Sequence, residues 1–156
     1  MKRLSILLAG SALAISAHAV NWVEVSESRS GSMFSIDLDS IESSDISIID
    51  EKDVENITVS MLRTYPKNDA SNKWQENRIH HSEQQLLISC KDASYYRRAY
   101  VNYDSDNKVT KSWQSKKPIL TTKDFKITTP KTIGRTLIEQ VCKSAKQDEE
   151  SDNWTN

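Results

Sequence analysis

Glycine is scarce in this 156-residue chain: three residues, with only three prolines beside them. A loop that cradles phosphate needs several glycines close together, and Gly10, Gly31 and Gly134 stand far apart, so nucleotide-binding loops are excluded. The same shortage excludes collagen-like and Gly/Pro-rich linker classes. Histidine is as rare, at three residues, and neither a G-x-S-x-G elbow nor an S-x-x-K signature occurs, so the sequence does not support an enzyme. Positive charge is not in excess either. The 21 basic and 22 acidic residues leave a net charge of −1, a poor fit to a nucleic-acid binder, which concentrates basic charge on one face.

The chain is long enough for one ordinary domain and too short for two with a linker. Lys2 and Arg3 precede an apolar run over residues 4–15, and Ala17-His18-Ala19 follows. This is the pattern of a secretory signal peptide over residues 1–19, cut between Ala19 and Val20, and the run is too short and too rich in small residues for a stable membrane span. No Cys stands beside that cut, so no site for a lipid anchor is expected. Loss of Lys2 and Arg3 makes the exported chain more acidic, at about −3. Cys90 and Cys142 both remain after processing. An even count in an oxidising compartment reads as one disulfide; two buried free thiols are the alternative.

Beyond the leader the pattern is of short strands followed by one helix. Ile57, Val59, Met61 and Tyr65 alternate with Thr58, Ser60, Leu62 and Thr64, and Phe34, Ile36 and Leu38 alternate with Ser35, Asp37 and Asp39, both at the two-residue period of a half-buried strand. Leu86, Ile88 and Cys90 share a face opposite Gln85, Leu87 and Ser89, which places Cys90 on the core side. Residues 22–25, 46–49, 95–103 and 109–113 are further strand candidates, separated by turn chemistry at Ser28-Arg29-Ser30-Gly31, Pro66-Lys67-Asn68-Asp69 and Asp104-Ser105-Asp106-Asn107. Ile133, Leu137, Ile138, Val141 and Cys142 recur at helical spacing, with Thr129 as the expected N-cap and Pro130 at the first helical position. Residues 20–146 thus read as a single domain, and the acidic residues 147–156 as a solvated, disordered tail.

Few constellations carry chemistry. Adjacent strand residues face opposite ways, so His80 and His81 are expected to diverge and no metal or organic cofactor is expected. Asp37 and Asp39 share a strand face, a geometry open to paired-carboxylate work, although a charged outer face explains them more simply. The stretch Tyr95-Tyr96-Arg97-Arg98-Ala99-Tyr100 mixes the two side-chain types most enriched at interface hot spots. Read as a regular strand it puts Tyr96, Arg98 and Tyr100 on one side and Tyr95, Arg97 and Ala99 on the other. Lys108 and Lys111 on the next strand extend the basic character, making Tyr96, Arg97, Arg98, Tyr100, Lys108 and Lys111 a candidate protein-binding patch. The plainer alternative is a core strand whose tyrosines point inward. The sequons at Asn56 and Asn153 read as accidental.

Several motifs occur in a fixed order: Trp22-Val23-Glu24-Val25, Met33-Phe34-Ser35-Ile36-Asp37-Leu38-Asp39-Ser40-Ile41, Ile88-Ser89-Cys90, Tyr103-Asp104 before Val109, and Thr129-Pro130 through Ile133-Gly134 to Val141-Cys142. That set resembles the surface-adhesin protein E family of Gram-negative bacteria over roughly residues 21–143. The resemblance implies an α+β fold, a curved antiparallel sheet of about six strands with a C-terminal helix packed across one face and disulfide-linked to a strand. It also implies homodimers and adhesion to host matrix proteins. The family's adhesin is lipid-anchored, and here the lipobox Cys is lacking, so a periplasmic or released protein is expected. The functional expectation is an exported non-catalytic binding module that contacts a host matrix or envelope protein; a periplasmic inhibitor or immunity-type protein that binds a toxic enzyme is the alternative.

Overall fold

A computed structural model describes residues 20–44, 48, 56–66 and 79–152. The expected leader, all but Ile48 of the 46–49 strand candidate, the Pro66 turn beyond Pro66 itself and the last four residues fall outside it. Strands β1 (Trp22–Glu27), β2 (Met33–Asp37), β4 (Asn56–Thr64), β5 (His81–Ser89), β6 (Ser94–Tyr103) and β7 (Val109–Gln114) form a curled antiparallel sheet in the order β1-β2-β4-β5-β6-β7. Two short strands, β3 (Glu42–Ser43) and β8 (Lys126–Ile127), pair with β4 and β6. Helix α1 (Ile133–Asp152) packs across one face. Among the described residues no helix is long and apolar enough to cross a membrane.

The turns form where short polar residues and glycine allow them. Ser28–Ser32 closes the β1–β2 connection, the Gly31 N–H donating to the Ser28 carbonyl with Gly31 at φ +87°, a conformation that a side chain would strain. Between β6 and β7 the Asp104 carboxylate accepts from the N–H groups of Asp106 and Lys108, and Asn107 takes the left-handed conformation.

Alternation in β4 and β5 builds the core. Ile36, Val59, Met61, Leu86 and Ile88 project from the inner face of the sheet to meet Leu137, Ile138 and Val141 of α1, all of them buried. Cys90 sits in the turn just after β5 and is bonded to Cys142, with Cα atoms 5.9 Å apart, so the expected clamp between helix and strand end is present. Leu87, expected on a polar outer face, is fully buried on the side away from the helix. The chain after β7 returns along that outer side: Tyr96, the partner of Leu87 on β6, bonds Ser115 Oγ and lies beside Phe125, and Leu120 between them in sequence is buried and forms a parallel bridge with Ile48.

Three local expectations need correction. The β2 strand ends at Asp37, and Leu38–Ser40 is a 3₁₀ turn in which the Asp37 carboxylate accepts the Asp39 N–H; the two carboxylates are therefore not neighbours on a strand face but a cap and a capped residue. Thr129 does not cap the helix. Pro130 and Lys131 form a turn, Lys131 at φ +63°, and Thr132 supplies the cap, its Oγ1 accepting from the Arg135 N–H at 3.3 Å. Residues 147–152, expected in a disordered tail, are helical instead: α1 runs on through Asp152.

Candidate functional site

Register decides which side chains of β6 can act together. Opposite Gln85 and Leu86 of β5 the pairing passes from Ala99 directly to Arg97, leaving Arg98 as an extra residue in a bulge. A bulge resets the alternation, so Arg97 and Tyr100, three residues apart, share the inner face instead of opposing each other. Arg97 stands over the Tyr100 ring, its Cζ 5.8 Å from the centroid. Tyr100 in turn stacks on Trp113, its partner on β7, with centroids 5.9 Å apart, and Lys111 follows on the same face as Trp113.

The candidate patch is thereby redrawn. Arg97, Tyr100 and Lys111 come together on the inner face with Trp113, which the sequence reading left out of the patch. Arg98 goes to the outer side, in a niche with Glu42, Thr58 and Gln85. Tyr96 also turns outward, opposite Leu87, with its hydroxyl hydrogen-bonded to Ser115 Oγ and its ring 6.2 Å from Phe125. Lys108 lies in the exposed 104–108 turn, off the sheet face. A tryptophan closing the strand candidate 109–113, next to the Tyr/Arg strand, was the signal that could have found Trp113, which is 44% exposed.

A shallow open depression of about 430 Å³ is lined by Arg97, Tyr100 and Trp113 together with Tyr95, Tyr96, Asp124 and Lys126, so Tyr96, although its hydroxyl turns to Ser115, still borders the same space. The Asp124 carboxylate is engaged by Lys117, whose hydrogen bond, with that of the Thr121 N–H, holds it below the usual carboxylate range. Along β4 to β7 the inner face presents Arg63, Arg97 and Lys111, and the register puts no Asp or Glu on it, since Glu83 faces outward. The surface is aromatic and cationic, suited to an acidic or aromatic contact.

The two histidines depart from expectation. His80 precedes β5, so strand alternation does not separate it from His81; the Nδ1 atoms lie 3.0 Å apart and the rings meet edge to face. His81 stacks on Tyr103 at 4.6 Å between centroids. Burial, and then the charge of His80, pulls the His81 pKa below its ordinary value, with Glu83 opposing; burial, and then Glu83, raises that of Tyr103. Among the described residues no group of three or more His, Cys, Asp or Glu side chains is placed to hold a metal ion. Asn56 of the first sequon is buried at the start of β4.

Comparison with protein-family models, with curated proteins and with solved structures returned no match.

Proposed function

We propose that this protein is an exported, non-catalytic binding module of the surface-adhesin protein E type, which makes protein–protein contacts with host matrix or envelope components. The observation that carries the reading is the exposed Arg97–Tyr100–Trp113 stack with Lys111 beside it. Tyr, Trp and Arg combine large contact area with a polar handle, and stacking fixes them before the partner arrives, which reduces the ordering cost of association. The leader sequence supports export, and the disulfide fits an oxidising compartment.

The test is surface plasmon resonance of the disulfide-bonded protein against a panel of immobilised matrix glycoproteins, with Trp113→Ala as the paired variant. Saturable binding to a matrix protein, weakened at least tenfold by the substitution, supports the reading. Absence of binding across the panel, or equal binding by the variant, removes it.

A further inference from the structure

The aromatic face ends at an open border. Strand β7 is the last of the sheet on that side, and among the described residues no strand pairs with its outer edge. The Ser115 N–H, which donates to the Arg98 carbonyl at 2.7 Å, fixes the phase of its backbone. Continued through the pairs Tyr100–Trp113 and Asn102–Lys111, that ladder turns the backbone groups of Lys111, Trp113 and Ser115 in toward β6. The N–H and C=O groups of Ser112 and Gln114 therefore point out from the edge, where an added strand would complete their hydrogen bonds.

The side chains along this edge decide which strand it takes. Val109 and Trp113 are 59% and 44% exposed, so apolar area is left uncovered on β7. Lys111 stands between them in sequence with its side chain on the face of Trp113, Arg97 lies one strand in beside Tyr100, and no Asp or Glu of β4 to β7 shares that face. A basic residue on an exposed edge repels another basic strand and attracts an acidic one, so it selects a partner as well as guarding the edge. Pairing β7 with the β7 of a second copy would bring two basic strands together. The sheet's other edge, β1, carries Glu24 and Glu27 and would repel an acidic strand.

On the reading of the aromatic face as the contact surface, we infer that β7 accepts an extended acidic segment of the partner as an added antiparallel strand, held by the backbone groups of Ser112 and Gln114 and read by Lys111 and Trp113. The partner is thereby held by main chain and chosen by charge. Antiparallel addition continues the pairing of β4 with β5, β5 with β6 and β6 with β7. It also fixes the alternation. Partner residues opposite Lys111 and Trp113 turn their side chains to the inner face and their N–H groups away from β7, whereas the residues between them bond Ser112 and Gln114. Acidic side chains are needed at alternate positions, and free N–H groups at the positions between.

Isothermal titration calorimetry of the disulfide-bonded protein with an acetylated, amidated heptapeptide of alternating Thr and Glu, Thr at both ends, tests this. Saturable one-site binding is expected. N-methylation of the Thr residues should weaken it at least tenfold, N-methylation of the Glu residues should change it less than threefold, and Lys in place of Glu should weaken it at least tenfold. Ser112→Pro removes an outward donor and leaves the ladder to β6 intact, so the folded variant should bind the peptide at least tenfold more weakly. Should it fail to fold, Lys111→Glu, at an exposed position, is expected to fold and to show the same loss. No peptide binding, equal binding of the N-methyl-Thr peptide, loss on methylation of Glu instead, or parental affinity in the folded variants overturns the assignment. Self-association of the parent that Ser112→Pro abolishes, with no peptide bound, gives the edge to a second copy and overturns it as well. A matrix protein that binds through Trp113 and is indifferent to Ser112→Pro refutes the added strand and leaves the contact face standing; peptide binding with no matrix protein captured refutes the host partner alone.

Discussion

Cys142, three turns into α1, is bonded to Cys90 immediately beyond the end of β5, so the helix is fastened to the sheet at the point where both join the core. The bond closes a sequence separation of 52 residues. Constraining a loop of that length in the unfolded chain is worth about 4 kcal/mol on the chain-entropy estimate. Replacing both cysteines by Ser should therefore lower unfolding stability by roughly 2 to 5 kcal/mol while the far-ultraviolet circular dichroism of the folded state stays close to that of the parent. Urea melts of the two proteins read this directly; coincident melts would show that the clamp contributes nothing.

His81 should give the fold a pH dependence. Burial and the His80 charge hold its imidazole below the ordinary histidine value, so the folded protein takes up this proton less readily than the unfolded chain. Above about pH 6.5 the ring is neutral in both states and contributes no difference. As pH falls through that value the unfolded chain binds the proton first, and stability declines until the folded pKa is passed as well. His81→Phe keeps a ring to stack on Tyr103 and removes the titration. From pH 7.5 to 5 the parent should lose more of its denaturation midpoint than the variant. Parallel decline in the two proteins would exclude His81 as the cause.

The architecture was legible because its main signals are local. Period-two alternation in β4 and β5 and helical spacing from Ile133 to Cys142 each follow from single-segment patterning, while the Cys90–Cys142 bond, which spans 52 residues, was legible from the even cysteine count behind a leader sequence; each has its place in the structure. What escaped depends on one residue or on distant chain. The bulge at Arg98 inserts a single position and inverts every assignment of side beyond it, and nothing in the Tyr-Tyr-Arg-Arg-Ala-Tyr composition marks that position. Leu87 sits at an outward position in a sound alternation and is buried by a segment about thirty residues further along, which no window around β5 contains. The His80–His81 approach turned on whether the strand began one residue earlier, a boundary that pattern reading fixes least well.

Helix capping gives a contrast between two threonines. Thr132 Oγ1 accepts from the Arg135 N–H, whereas Thr129, the position favoured by its place before Pro130, lies outside the helix and offers its backbone carbonyl to the Thr132 hydroxyl. Thr132→Ala should cost about 1 kcal/mol, in the range for loss of a Thr N-cap, and Thr129→Ala less than about 0.5 kcal/mol, as for an exposed position without a structural role. Denaturation midpoints of the two variants decide it; equal losses would return the cap to Thr129.

The bulge makes the neighbouring arginines separable in function. Arg97 lies over Tyr100 on the face that carries Trp113 and Lys111, while Arg98 projects from the other side near Glu42 and Gln85. If a matrix or envelope protein docks on the aromatic face, Arg97→Ala removes a cation from its centre and should weaken binding about tenfold, equivalent to about 1.4 kcal/mol. Arg98→Ala should leave affinity unchanged, because nothing on the outer side belongs to the contact. In a regular strand Arg98 would share a face with Tyr100 and Arg97 would point away, so the order of the two effects would be reversed. Affinities of the two single variants for the captured partner, measured with folding checked by thermal melts, therefore test the register and the binding face together: loss at Arg98 with none at Arg97 would refute both.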